Sequence, residues 1–431
     1  MHGRLNTFQL SMLQWAELHP YNAVHVVRIP EALDLERLER AITMTLEGKG
    51  LTGLALDRNA GAFQYHGGPS SAEIKLASPG ALSSPGFAEE IEHQLNTPFS
   101  PKELFTPFRF VVVAEQDSFS LGLTYFHPVA DAESIVFLLK DMVDAYRDAG
   151  NPGCVNLVER YPARRDNLLR HYPGVLARKL ASLPASGRSM RNTCRPHYRD
   201  AGDWHNKFTF FSLSPQTLSG MIQAAKSLNV TLNDLFLALL MKAIAPLAPD
   251  RAGTARRRNL SLGSIVNTRR DLGVDGRHTF GLFLGSFVVH HEVPAGIGLA
   301  DLARDIGRQT LAIKQRRLYL GSALELPFGR LMMALFSERR RKQLYQKHYP
   351  LWGGLTNMNL NALWPQPEGS RPVDYFRAVS TGPVTPLVAS ITTMGPVANI
   401  GLTYRATVFG APDIERIKAT FLGPLGLTTQ P

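Results

Sequence analysis

The sequence predicts an α/β protein of two lobes joined by a basic connector, and three observations carry that expectation. Strand-like runs alternate with amphipathic helical runs on both sides of the chain's middle. A stretch rich in Arg and Pro interrupts the pattern between Arg160 and Asp200. With 431 residues, 44% of them hydrophobic and 19% charged, the chain is globular and long enough for more than one core. The expected partition is an amino-terminal lobe over 1–160, the connector over 161–200 and a carboxy-terminal lobe over 201–431.

In the first lobe, "LDLERLERAITMTLEGKG" places Leu35, Leu38, Ile42 and Leu46 at helical spacing, after Asp34 as cap and before Gly48 as stop. "PFRFVVVAEQDSFSLGLTYFH" reads as two strands around a polar turn, and "DAESIVFLLKDMVDAYRDAG" as a helix ending at Gly150. The connector carries Arg164, Arg165, Arg170, Arg178, Lys179, Arg188, Arg191, Arg195 and Arg199 against Asp166 and Asp200, with a short amphipathic helix expected around Leu168 to Leu183. In the second lobe, "FTFFSLSPQTLSGMIQAAKSLNVTLNDLFLALLMKAIA" is a strand followed by two helices. Ser214 with Pro215 starts the first helix, and Thr231 with Asp234 caps the second. "NLSLGSIVN", "GSFVVHHEV", "PLVASITTM" and "NIGLTYRATV" are further strands.

The composition narrows the function classes. A net charge of +11 favours an acidic partner: nucleic acid, an anionic membrane surface, a phosphate-bearing cofactor or an acidic protein. No zinc-finger or RNA-binding signature accompanies the charge, so nucleic acid is set aside. Cys154 and Cys194 lack a second Cys at metal-ligand spacing, which fits a reducing compartment and no metal. The amino terminus lacks the parts of a signal peptide, and "LFLALLMKAIAPLA" is shorter than the roughly 20 residues that span a bilayer. A cytoplasmic location is expected.

The chemistry centres on "YFHPVADAES", where His127 ends an apolar strand and Asp131 follows four residues later. Pro128 biases His127 to an extended backbone at the strand's end, where its ring can face a cleft and act as a general base. The structural reading stands beside it: Asp131 as helix N-cap and His127 as a core histidine satisfied by a carbonyl. His290 and His291 form the His-His pair, but Ala295 stands where an aspartate would be needed, and adjacent strand residues face opposite sides. They read as an exposed strand end. There is no H-E-x-x-H, Walker loop, G-x-S-x-G or G-x-G-x-x-G after a strand, which removes metallohydrolase, nucleotidase, serine hydrolase and dinucleotide oxidoreductase readings.

"HPVADA" resembles the HHxxxDG signature of the condensation and chloramphenicol-acetyltransferase-like superfamily, which includes nonribosomal peptide condensation domains, wax ester synthases and polyketide-associated acyltransferases. "LSMLQW", "NVTLNDLFLALLMKAI" and "SIVNTRRDL" followed by "TFGLFLGSF" resemble further family stretches in the expected order. The resemblance implies two chloramphenicol-acetyltransferase-like lobes, each a two-layer α/β sandwich, forming a pseudo-dimer with a tunnel between them. It implies that His127 is the catalytic base and that Asp131 pairs with Arg269 to orient it. Thr356 and Asn357 in "GGLTNMNL" match a tunnel segment more weakly. Phe126 replaces the first histidine and Ala132 the glycine. A Cβ at residue 132 costs about 1 kcal/mol or more if φ there is positive, and fits easily at a first helical position.

The expected function is transfer of an acyl group from a coenzyme A or phosphopantetheinyl carrier-protein thioester to a small-molecule amine or alcohol, with no bound metal or redox cofactor. Partners are then acyl-CoA or an acidic acyl or peptidyl carrier protein. "SERRRKQLYQKHY" and "ARRR" read as solvated surface or as a landing site for such a partner. Two alternatives remain: a non-catalytic docking protein that keeps the fold, and a lipid acyltransferase at a membrane surface reached through "RLMMALFSERRRK".

Overall fold

The computed structural model describes residues 2–70, 72–77, 85–101, 103–147, 172–248, 251, 256–365, 374–423 and 425. Cys154, Arg164, Arg165, Leu168, Arg170, Gly150 and Ala255 lie outside them. The chain divides into two units: one of Met1–His171, Asn267–Leu284 and Asn359–Ser380, the other of Tyr172–Val266, Gly285–Met358 and Thr381–Pro431.

The first unit opens with β1 (His2–Arg4) and α1 (Thr7–Ala16). The Asn6 side chain accepts the Phe8 and Gln9 N–H groups, and Gln9 accepts the Asn6 N–H at 2.9 Å, a reciprocal capping box. β2 (Asn22–Ile29) leads to α2 (Leu35–Gly48), capped by Asp34 and burying Leu38, Ile42 and Leu46 on one stripe. Gly50, not Gly48, turns the chain out of α2: its φ is +62°, and the Leu51 N–H closes on the Leu46 carbonyl. Then come β3 (Leu54–Asp57), β4 (Ala62–Tyr65), β5 (Glu73–Leu76), α3 (Pro85–Asn96), β6 (Phe108–Ala114), β7 (Phe119–Phe126) and α4 (Ala132–Arg147).

The second unit begins with α5 (Pro173–Arg191), which overlaps the short helix expected around Leu168 to Leu183 and runs eight residues beyond it, followed by β8 (Lys207–Leu213), α6 (Pro215–Ser227) and α7 (Leu232–Ile244). α7 is apolar nearly all round and is buried from Asp234 to Met241, the pattern of a core helix. Thr231 and Asp234 form its capping box, and the Thr310 hydroxyl donates to Asp234 at 2.6 Å. β9 (Leu260–Asn267), β10 (Leu284–His291), α8 (Leu299–Gln315), α9 (Ser322–Leu335), α10 (Glu338–His348) and β11 (Gly353–Asn359) follow, then β12 (Asp374–Val379), β13 (Leu387–Met394), β14 (Val397–Tyr404) and α11 (Ala411–Leu422).

The first unit holds a five-stranded sheet of order β12-β2-β7-β6-β5 and a small sheet β1-β4-β3; the second holds a six-stranded sheet β10-β9-β11-β13-β14-β8. β12 pairs antiparallel with β2 over six residues, with Arg377 opposite His25. That pairing explains why the units do not follow the sequential partition at 161–200. The segment Asn359–Ser380 joins the first unit through its strand, and Asn267–Leu284 joins it through contacts of Arg269 and Phe283 with Asp131. Among the described residues no single helix is long and apolar enough to cross a membrane.

Candidate active site

β7 is buried at all eight positions and delivers His127 to its carboxy-terminal end, where a 3-10 turn spans His127–Val129. Two bonds fix that turn: the His127 N–H donates to the Tyr21 carbonyl at 3.1 Å, and the Gln9 amide donates to the Pro128 carbonyl at 2.9 Å. The capping residue Gln9 of α1 thus ties the amino-terminal helix to the histidine turn. The imidazole stacks on Tyr21, ring centroids 5.3 Å apart, and meets Tyr125 edge-on at 5.6 Å.

The tautomer follows from the neighbours. His127 Nδ1 lies 3.2 Å from the Ala130 carbonyl oxygen, which can only accept. Nδ1 therefore carries the hydrogen, and the basic lone pair belongs to Nε2. Burial pushes the imidazole down to about 4, and Arg377 adds to the shift, while the Ala130 carbonyl and Asp131 oppose it. The ring is accordingly neutral at neutral pH.

Asp131 anchors the loop beyond the histidine. It forms a bidentate pair with Arg269, at 2.7 Å from Nη1 to Oδ2 and 2.9 Å from Nη2 to Oδ1. Its carboxylate also accepts the Ser134 N–H at 3.0 Å, which makes it the cap of α4, and the Phe283 N–H at 2.8 Å. Both side chains are almost fully buried, and the Arg269 guanidinium lies 4.2 Å over the Phe283 ring. Arg269 donates further to Ser134 Oγ at 2.7 Å, and Glu133 Oε1 sits 3.6 Å from its Nε.

These contacts reach His127 through one peptide group. The Asp131 N–H donates to the Gly281 carbonyl at 2.9 Å, while the carbonyl of the same planar unit, that of Ala130, faces His127 Nδ1. Gly281 runs at φ +151°, a conformation that favours glycine. Its carbonyl also accepts the Ser134 hydroxyl at 2.9 Å.

A buried polar cluster completes the surroundings. His25 Nδ1 lies 2.7 Å from the Tyr375 hydroxyl, and His25 packs edge-on against both Tyr125 and Tyr375. Burial holds His25 neutral, well below the usual imidazole range, with Arg377 and then His127 adding to the shift. Burial likewise lowers the fully buried Arg377 to about 10.

The departures from the signature are resolved locally. Phe126 packs against Phe99 and Phe105, on the opposite side of β7 from Tyr125. Ala132 is the first residue of α4, and its φ is not positive, so its Cβ causes no strain. Thr356 and Asn357 lie on β11 of the second unit, half-buried and exposed. The contacts around His127 given above are all made by first-unit residues. One expectation is corrected: His290 and His291 are half-buried, not an exposed strand end. Ser261 Oγ lies 2.6 Å from His290 Nδ1, and His291 Nε2 pairs with Asp305 at 3.1 Å.

No protein-family model and no curated protein matches the chain. Solved structures do. The first condensation domain of the calcium-dependent antibiotic synthetase, in complex with a substrate analogue, aligns at TM-score 0.68 and 15% identity, covering 98% of this chain and 94% of that one. The epimerization domain from the third module of tyrocidine synthetase B aligns at 0.65 and 14%, covering 98% and 96%. The X-domain from teicoplanin biosynthesis, in complex with OxyB, aligns at 0.59 and 16%, covering 98% and 92%. Identity this low speaks to fold alone, and coverage of nearly the whole chain makes that statement specific: this protein has a condensation-domain-like fold.

Proposed function

We propose that this protein is a condensation-type acyltransferase that moves an acyl group from a coenzyme A or carrier-protein thioester to an amine or hydroxyl acceptor, with His127 as general base. The observation that carries the reading is the single tautomer of His127: Nδ1 is committed to Ala130, so Nε2 can accept a proton. In the reaction the acceptor's N–H or O–H faces Nε2, its heteroatom attacks the thioester carbonyl, and a tetrahedral oxyanion forms. The carbon–sulfur bond then breaks, and the proton held at Nε2 passes to the departing thiolate. A positioned base of this kind contributes about 10²–10⁴-fold. Asp131 and Arg269 act as positioning residues through the Ala130–Asp131 peptide group. Thr356 and Asn357 are proposed to line the substrate path.

A second reading is favoured by one feature of the site and one of the comparisons. His127 is only 7% exposed and held to about 4, and the fold is shared with an X-domain whose structure contains a bound protein. On that reading the chain is a docking protein in carrier-protein-dependent synthesis. The test compares metabolites of the native organism carrying wild type, a deletion and His127→Ala, with folding of the variant checked by thermal melt. Loss of one acylated product in both the deletion and the folded variant supports catalysis, and the product's mass names donor and acceptor. Loss in the deletion alone makes the histidine structural and favours docking.

A further inference from the structure

The chain's positive charge is concentrated in one region of the second unit. Residues 173–199 and 311–348 together contain 15 Lys and Arg against 2 acidic residues, an excess of 13 that is larger than the net charge of the whole chain, +11. The two segments are joined in the fold. Lys179 Nζ pairs with Glu325 at 2.7 Å, Arg195 donates to the Lys347 carbonyl at 2.7 Å, and the Arg317 guanidinium lies 4.0 Å over the Tyr172 ring.

The same region carries most of the exposed aliphatic surface. Of eleven exposed large hydrophobic residues among those described, six lie here: Leu176, Leu180 and Leu183 on α5, Leu311 on α8, and Leu331 and Leu335 on α9, the last 71% exposed. Leu176, Leu180 and Leu183 follow i, i+4, i+7 and so form one stripe. That stripe is distinct from the face α5 turns inward, where Val175 is fully buried and Lys179 half-buried. α5 contains no acidic residue, and Arg188 and Arg191 are exposed near its end.

From this juxtaposition we infer that the α5–α9 surface is a peripheral docking site for an anionic lipid bilayer. Leucines on one flank of a helix enter the acyl boundary while the flanking arginines extend along the surface to lipid phosphates. Two other occupants fit less well. A nucleic acid would satisfy the charge and leave six leucines in water. Protein hot spots are built on Trp, Tyr and Arg with Leu under-represented, whereas a bilayer accepts leucine directly. The inference is independent of the acyl-transfer reading, because it rests on residues that the candidate site does not use.

The test is co-sedimentation of the full chain with vesicles of phosphatidylcholine alone or mixed with phosphatidylglycerol, at about 0.1 M and about 1 M salt, where the screening length falls from roughly 10 to roughly 3 Å. Binding is expected only to the mixed vesicles and only at low salt. Arg188→Glu with Arg191→Glu should weaken it by at least about five-fold per site. Leu180→Ser with Leu335→Ser should weaken it about ten-fold while leaving retention on heparin unchanged; all four side chains are exposed, so folding is preserved. Vesicle binding that ignores the leucine pair overturns the inference in favour of a purely electrostatic partner. No binding to mixed vesicles, with capture of an acidic carrier protein instead, assigns the surface to protein docking and equally overturns it.

Discussion

Replacing Asp131 by Asn tests the link between the buried ion pair and the histidine. Asp131 accepts four hydrogen bonds: two from Arg269 and one each from the Ser134 and Phe283 N–H groups. An asparagine can keep one oxygen, and with it either the Ser134 cap or the Phe283 bond. Its NH₂ must then face donors at the other position, and Arg269, with its side chain 4% exposed, keeps only Glu133, 3.6 Å from its Nε, as counter-charge. Breaking a buried pair in this way costs about 3–5 kcal/mol, against about 5–15 kcal/mol for a whole fold. The measurement is a double-mutant cycle of Asp131→Asn, Arg269→Met and the double variant by urea denaturation. The double variant removes both members of the bidentate pair, so it should be more stable than the two single costs predict, by about 2–3 kcal/mol. In the folded Asp131→Asn protein the His127 ring resonances should also move, because the Ala130–Asp131 peptide loses its fixed orientation. Costs below about 1 kcal/mol that simply add, or an unmoved His127, would refute the reasoning.

Three further outcomes are expected. The folded His127 titrates near 4 against 6.5 for an ordinary histidine, so between these values the unfolded chain takes the proton first. Its contribution is then fully present above about pH 6.5 and lost as pH falls toward 4, by about 3 kcal/mol in total; His127→Gln should make the stability profile shallower in that window, leaving a residual slope from His25 and His290, which burial shifts the same way. Arg377→Met removes one charge that disfavours imidazolium, so the His127 titration followed by NMR should move upward yet stay below 6.5, since burial is the larger cause. Gly281→Ala places a Cβ at φ +151°; a loss of about 1–3 kcal/mol in thermal or urea unfolding is expected, together with shifted His127 resonances, and an unchanged protein would remove Gly281 from the positioning argument.

What the sequence disclosed was local. The capping pairs at Asp34, Ser214 and Thr231 and the strands around "QDSF" lie where residue chemistry places them, because a cap or a turn is decided within four residues. The buried cluster was not legible. Tyr375 and Arg377 meet His25 only because β12 pairs with β2 in one register across some 350 positions, and nothing in "DYFRAV" names its partner strand. The His25 side of β2 could have been suspected, since a histidine inside "AVHVVRI" must be satisfied internally. His290 misled for the same non-local reason: at a strand end it reads as exposed, but Ser261 and Gln309 close over it. Asp131 with Arg269 came from family resemblance, and no spacing rule connects residues 138 positions apart.

The electrostatics of the cluster set a constraint on any chemistry at His127. A base is most effective when its pKa lies near the working pH, and a ring held to about 4 is in its base form at neutral pH but binds a proton weakly. The surroundings explain both halves. Burial and Arg377 oppose an imidazolium, while Asp131, whose charge favours it, is already paired with Arg269. A long-lived imidazolium is therefore disfavoured, and a proton taken at Nε2 should be passed on in the same encounter. The proposed thioester would suit such a site: as its carbon–sulfur bond breaks, the departing thiolate would generate a proton acceptor beside the ring. Under the proposed acyl transfer the histidine would work as a relay fixed in one tautomer by Ala130, with the buried pair beyond it serving geometry more than charge.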